Sequence, residues 1–493
     1  MKMKKYISLC LLAALLTSLA ACGGEPAGQT DDTTTVGEDT TAPVVSEYTP
    51  PEVDYGGKTV TITGYSYSGN WAILRYNIAL EEENGDTIND GIVKRNRAVE
   101  DELNVNIELV PLTSNDRSKP TVLEKYILAQ EDVITYGMQM QAGLSKLLTT
   151  EGMLVDLKSI PTLDLSKSWW NQNANEEYTI YGKQLAAVGD ACFFNLGAPV
   201  VVYFSKDLIE QNKLDNPYQL VYDGKWTIDT MKKMAQSAAN DINGNSEIDK
   251  EDIFGFATEI DTVYYTLFSA GERYSERDAK GDIQVTLNTE NTVNIVEKIV
   301  PLIRDKNTSM YYEDWKAGYS NAHSDLLMPK LMENELLFYS NQLLVTLNLR
   351  AMESDFGIVP MPKYDETQEK YLSIANTWFS DHIVVPATSG DLELVGHLLD
   401  AMGYYGQQYI TSAFIDESII NKGIRDEDSL NMINLIHENQ IFDVGLLFNW
   451  GGMTGMMQRF VTMDSTDFAS AWAGISETVD AELEATAKML KGE

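Results

Sequence analysis

Cysteine, histidine and positive charge are what this chain has least of: three Cys, four His, and 37 Lys and Arg against 74 Asp and Glu. Cys10 lies inside the apolar amino-terminal run and Cys22 just beyond it. Cys192 therefore stands alone in the body of the chain, and no disulfide can staple it. A chain of this length needs none, because the fraction of surface buried on folding rises with size. Cys192 reads as a small buried apolar side chain rather than a nucleophile. His323, His382, His397 and His437 show neither H-E-x-x-H spacing nor any other paired-ligand pattern, which argues against a zinc hydrolase. A G-x-S-x-G elbow, a P-loop and a dinucleotide-binding fingerprint are all missing. The net charge of -37 repels nucleic acid and anionic membrane surfaces. Beyond the amino terminus no apolar stretch is long enough to cross a bilayer. Carboxylate pairs for glycoside hydrolysis are the enzymatic chemistry that so many acids leave open.

The amino terminus carries the first positive signal. Lys2, Lys4 and Lys5 precede an apolar run from Ile7 to Leu19, too short to span a membrane and suited to the hydrophobic part of a secretory signal. The run ends in Leu19-Ala20-Ala21-Cys22, which resembles the lipobox at which a bacterial lipoprotein is cut and its cysteine acylated. Residues 1–21 are accordingly expected to be a signal peptide and Cys22 the lipidation site. Two or more acyl chains anchor a protein stably, so the chain is expected on the outer face of the cell membrane. Residues 22–54 are rich in Gly, Thr, Pro and acids and poor in large apolar side chains, as in Thr33-Thr34-Thr35 and Pro50-Pro51. That composition predicts a disordered tether that holds the folded part away from the membrane.

The body alternates strand and helix signals. Thr59–Thr63 alternates apolar and polar residues, as a strand with one buried face does. Ile88, Ile92, Val99 and Leu103 share one helical face, and Val105–Leu109 alternates again. A helix is expected over 120–130, a short strand over 133–136 and a helix over 138–148. Val200–Phe204 predicts a buried strand, with Ser205 capping the helix that contains Leu208. Thr227 is placed as an N-cap, with Trp226 and Met231 at the two staple positions. This order argues for an α/β protein with a largely parallel sheet. About 440 folded residues exceed one comfortable core, so two lobes are expected.

Several segments taken in order resemble extracellular solute-binding proteins of family 1, the sugar receptors of ABC importers. They are Tyr181–Asp190, Val202–Leu208, Gly224-Lys225-Trp226-Thr227 and Asp355–Pro362. Gly85–Asp90 followed by Arg95–Glu100 looks like a variant common among clostridial members. The resemblance implies a two-lobe periplasmic-binding-protein-like fold of type II, with a hinge of several crossing strands and a ligand cleft between the lobes. It places residues 55–190 and 338–375 in an amino-terminal lobe and 191–337 and 376–493 in a carboxy-terminal one. Crossings are expected near 185–200, 337–342 and 372–382. It also implies capture of a mono- or oligosaccharide without catalysis, by a monomer that docks on membrane permease subunits and binds no nucleic acid. The rival readings are a surface-attached glycosidase and an adhesin-like binding lipoprotein.

Sugar recognition asks for flat apolar faces and planar polar groups. Position selects Trp71, Trp170, Trp378 and Trp450 as candidate ligand contacts, with Asp190 and Asp381 as hydroxyl acceptors; core packing and loop capping are the alternatives for each. The run Asp241–Asp252 places oxygen side chains at the spacing of an EF-hand or dockerin-like loop, through Asp241, Asn243, Asn245, Glu247 (carbonyl), Asp249 and Asp252. A structural calcium ion is the only cofactor expected. Ser246 stands where such loops usually need glycine, and Asp252 replaces the usual bidentate Glu; a solvated acidic loop is the alternative.

Overall fold

The computed structural model describes residues 48–65, 82–192, 194–415 and 426–493. Cys22 and Trp71, both singled out above, lie outside the described residues, as do the signal peptide and most of the expected tether.

The first sheet has the order β11-β3-β1-β2, with β1 (Lys58–Tyr65), β2 (Val105–Leu112), β3 (Tyr136–Met140) and β11 (Asp381–Val384). β1 pairs in parallel with both β2 and β3, in a register that sets Lys58 opposite Val105 and Ile62 opposite Tyr136. β11 runs antiparallel to β3. The chain between β1 and β2 forms the helix Thr87–Leu103, which buries Ile88, Ile92, Val99 and Leu103 as their spacing predicts. Asp86 caps its start by accepting the Asn89 N–H, and Asn104 ends it at a left-handed φ of 50°.

The expected strand over 133–136 and helix over 138–148 are corrected by the structure. The strand runs from Tyr136 to Met140, buried throughout, and helix follows only as a 3-10 turn at Gln141–Gly143 and the short α-helix Ser145–Thr149. A central strand covered on both faces lacks the alternation that marks a half-exposed strand.

The second sheet has the order β10-β4-β9-β5-β8. Its strands are β4 (Val200–Ser205), β5 (Phe254–Thr258), β8 (Ser309–Tyr311), β9 (Leu336–Gln342) and β10 (Phe356–Pro360). β5 is parallel to β8 and β9, whereas β4 runs antiparallel to β9 and β10. A separate hairpin pairs β6 (Ser275–Arg277) with β7 (Ile283–Val285). Gly255 in β5 is required by packing, because a Cβ there would lie 2.0 Å from the Ala235 carbonyl oxygen of the helix Ile228–Ala238. That helix starts as its sequence predicts: Thr227 accepts the Thr230 N–H, and Trp226 and Met231 are both fully buried. Ser205 likewise caps the helix Lys206–Gln211 by accepting the Leu208 N–H.

The result is a mixed α/β fold of two lobes, one on each sheet. Strand membership departs from the expected division. β10 and all of β9 but Leu336 and Leu337 fall within 338–375, yet both strands hydrogen-bond inside the second sheet. β11 and the helix Leu392–Gly406, expected in the second lobe, belong to the first, where the helix packs on Thr87–Leu103. The chain therefore does not cross near 337–342. Between the sheets two passages of chain run side by side and pair antiparallel at Ala187–Ile383 and Pro199–Ala375. Closing helices return to the second lobe, with Glu427–Glu438 against β10 and Met453–Thr462 against Thr262–Ser269 and Glu290–Arg304.

Candidate functional site

A cavity of about 320 Å³ opens where the carboxyl ends of β5, β8 and β9 face the segment leading into β11 and the turn that follows β2. Open α/β sheets bind ligands at the carboxyl ends of their strands, and the volume is at the lower end of the small-molecule range.

Three chain ends of the second sheet supply its floor. After β5 come Glu259 and Asp261, after β8 come Tyr312 and Glu313, and β9 ends in Asn341 and Gln342. His323 lies beneath Tyr312, their rings stacked 4.1 Å apart at 12°. Its Nε2 is 3.3 Å from Glu259 Oε2, and its Nδ1 is 2.8 Å from the Tyr339 hydroxyl. Clamped from both sides, the imidazole holds Tyr312 as a platform. Gln342 is 1% exposed; its Oε1 accepts from Asn376 Nδ2 at 3.3 Å, whereas its Nε2 has no hydrogen-bond partner among the described residues.

The opposite wall belongs to the first lobe. Segment 376–380 is tied to it by the Gln141 N–H to Ser380 O and the Ala142 N–H to Thr377 O. The segment presents Trp378 and Phe379 to the cavity. Arg117 follows β2, donates to the Trp378 carbonyl at 2.9 Å and lies over the Phe379 ring at 4.9 Å. The Trp378 Nε1–H then reaches Asp261 Oδ2 at 3.0 Å, while Gln458 Nε2 donates to Asp261 Oδ1 at 2.6 Å.

Burial, and then the neighbouring Glu259 carboxylate, push the Asp261 carboxyl up to about 7. The same two causes in the same order raise Glu313. Flat aromatic faces, amides and carboxylates thus converge on one space, an arrangement that can hold a polyhydroxylated ring by its CH face and its hydroxyls.

Of the candidate ligand residues that are described, only Trp378 lines this cavity. Trp170 is 2% exposed, and its Nε1–H donates to Asp400 Oδ1 at 3.1 Å beside that of Trp169 at 3.2 Å. Both members of the Trp169-Trp170 pair are therefore core, because one carboxylate satisfies both indoles. Trp450 is 1% exposed, stacks on Phe448 and donates to Thr486 Oγ1. Gly451, at a φ of +59°, serves that packing: a Cβ there would meet Val479 Cγ2 at 2.4 Å. Asp190 binds Gln407 and Thr411, and burial pushes it up to about 7. Asp381 faces the thiol of the buried Cys192 at 3.5 Å, and burial pushes it to about 7 as well. Neither carboxylate lines the cavity.

The residues that do line it were missed because β5 and β8 are short, at five and three residues, and fully buried. A buried apolar run that stops abruptly at acids, as in Phe254–Thr258 before Glu259-Ile260-Asp261, was the available signal.

The loop Asp241–Asp252 spends its oxygens on its own backbone. Asp241 accepts the N–H groups of Gly244 and Ser246, Asn245 that of Glu247, Asp249 that of Glu251, and Asp252 that of Ile242. Ser246 takes the left-handed φ of 72° that the sixth position requires. Among the described residues, no group of three or more His, Cys, Asp or Glu side chains is arranged to hold a metal ion.

No family model and no curated protein sequence matches this chain. Its fold is similar to that of an ABC substrate-binding protein from Listeria monocytogenes in complex with cycloalternan, with TM-score 0.53 and 12% identity over 88% of this chain and 98% of that one. It is also similar to the cyclic alpha-maltosyl-1,6-maltose binding protein from Arthrobacter globiformis, with TM-score 0.53 and 13% identity over 89% of this chain and 100% of that one. Maltose-bound T. maritima MalE3 gives TM-score 0.52 and 15% identity over 88% and 100%. At these identities the likeness is one of fold.

Proposed function

We propose that this chain is the substrate-binding protein of an ABC importer, capturing a carbohydrate in the cavity between its lobes without transforming it. The observation that carries this reading is the convergence of Tyr312 and Trp378 with Gln342, Asn376 and the three carboxylates at the carboxyl ends of strands. The fold neighbours support it, since they are binding proteins for maltose, cycloalternan and a cyclic maltosyl-maltose. The two chain passages that pair at Ala187–Ile383 and Pro199–Ala375 would act as the hinge, and the closed form would be what a permease recognises. Cys22 would carry the lipid and residues 22–54 would give reach, with the folded part a monomer outside the cell. Calcium in the loop Asp241–Asp252 would be structural and remote from ligand.

Thermal-shift screening of the mature chain against a glycan panel tests the reading. A ligand at about one hundred times its Kd adds about 2.7 kcal/mol of stability. A panel without a single stabilising glycan defeats it. The rival is a glycosidase, favoured by the raised carboxyls of Asp261 and Glu313 in one cavity. Chromatography of oligosaccharides incubated with the protein separates the two: released product replaces the receptor by the enzyme.

A further inference from the structure

The carboxylates of the cavity have less positive charge around them than a neutral sugar would leave comfortable. Glu259, Asp261 and Glu313 line it, and Arg117 is the one Lys or Arg among the described lining residues. His323 sits 3.3 Å from Glu259, so even a charged imidazole there would be matched by that one acid. For Asp261 and Glu313 that leaves Arg117 as the cationic side chain in the same lining, and its guanidinium donates to the Trp378 carbonyl. Like charges in a partly desolvated space repel strongly, and a cation placed among them removes the repulsion.

A second observation points to hydroxyls. Gln342 belongs to the cavity lining and is 1% exposed; its Oε1 is occupied by Asn376, and its buried Nε2 has no partner among the described residues. A buried donor in that position asks for an acceptor on the ligand. Tyr312 and Trp378 supply faces that suit a pyranose ring or a cation. A polyamine offers no acceptor to Gln342, a neutral sugar brings no cation to the acids, and a uronic acid adds a further negative charge.

We propose, on the basis of the carbohydrate reading above, that the ligand is a saccharide bearing a free amine, bound as its ammonium form beside Glu313 and Asp261. Titration calorimetry on the mature chain tests it with gluco-, galacto- and manno-configured disaccharides, each as neutral sugar, free amine and N-acetyl derivative. The expected result is that, in the configuration that binds, the amine binds at least about tenfold tighter than its neutral and N-acetylated counterparts, which is about 1.4 kcal/mol. Glu313→Gln should cut that preference to threefold or less while the variant melts as the parent does. Neutral binding as tight as amine binding overturns the proposal and leaves the carbohydrate receptor standing. No heat from any of the nine sugars overturns both. An unchanged amine preference in both Glu313→Gln and Asp261→Asn overturns the assignment of the ammonium to these acids.

Discussion

Trp378 donates its indole N–H to Asp261 Oδ2 at 3.0 Å, joining the segment that leads into the first sheet to the end of a strand in the second. Each residue fixes the other. The carboxylate orients the aromatic face, and the indole together with Gln458 supplies the donors that a buried carboxyl needs.

Trp378→Ala is expected to weaken ligand binding by about tenfold to a hundredfold, the equivalent of about 1.5–3 kcal/mol for one large apolar face. Trp450→Phe serves as the contrast. It forfeits the hydrogen bond to Thr486 and costs about 1 kcal/mol of stability with Kd unchanged. Calorimetric Kd values and urea midpoints for both variants check the pair of outcomes. Equal effects on Kd would refute the placement of the site.

Asp400→Leu should strand two buried indole donors at once, those of Trp169 and Trp170. The expected loss is about 2–6 kcal/mol, from about 1–3 kcal/mol for each of the two unsatisfied buried groups. Urea unfolding measures it. A loss below about 1 kcal/mol would mean that the two indoles find other partners.

Stability should fall as pH rises through neutrality. Burial raises Asp190, Asp261, Asp381 and Asp443 from 3.8 to about 7, and Asp400 to about 6. Between 3.8 and those values the folded state holds protons that the unfolded chain has released, so each unit of rising pH lowers stability. His382 and His437, lowered by burial from 6.5 to about 4, act in the opposite sense, but only up to 6.5. Above that value the carboxyls act without this opposition. The ligand-free Tm is therefore expected to decline between pH 6.5 and 8, and less steeply in Asp381→Asn. A Tm that holds level or climbs across that interval would show these carboxyls to be ionised in the fold.

Millimolar calcium is expected to raise the Tm relative to chelator by occupying the loop Asp241–Asp252, and the double substitution Asp241→Ala, Asp249→Ala should abolish the difference. Identical melts of the parent in calcium and in chelator would remove the ion from the account. In that case the loop is held by its own side-chain caps, those on Ile242, Gly244, Ser246, Glu247 and Glu251 among them.

Local physics was legible wherever it was local. The helix Thr87–Leu103 announces itself by four apolar side chains at helical spacing, and Ser205 and Thr227 announce caps because their partners lie three residues on. The buried strands were harder, since a strand covered on both faces carries no alternation. Tyr136–Met140 was read as the end of a strand and the start of a helix for that reason.

The amino-acid order by itself determined the α/β class, the excess of acid and the caps at Ser205 and Thr227, because these depend on composition and on neighbours a few residues apart. Which aromatic faces a ligand and which fills the core was decided only by tertiary structure. Trp170 and Trp378 are both tryptophans whose N–H meets an aspartate, yet Asp400 lies inside one lobe's packing and Asp261 lies across the cleft, 117 residues from Trp378. Separation of that size leaves no local trace in the chain.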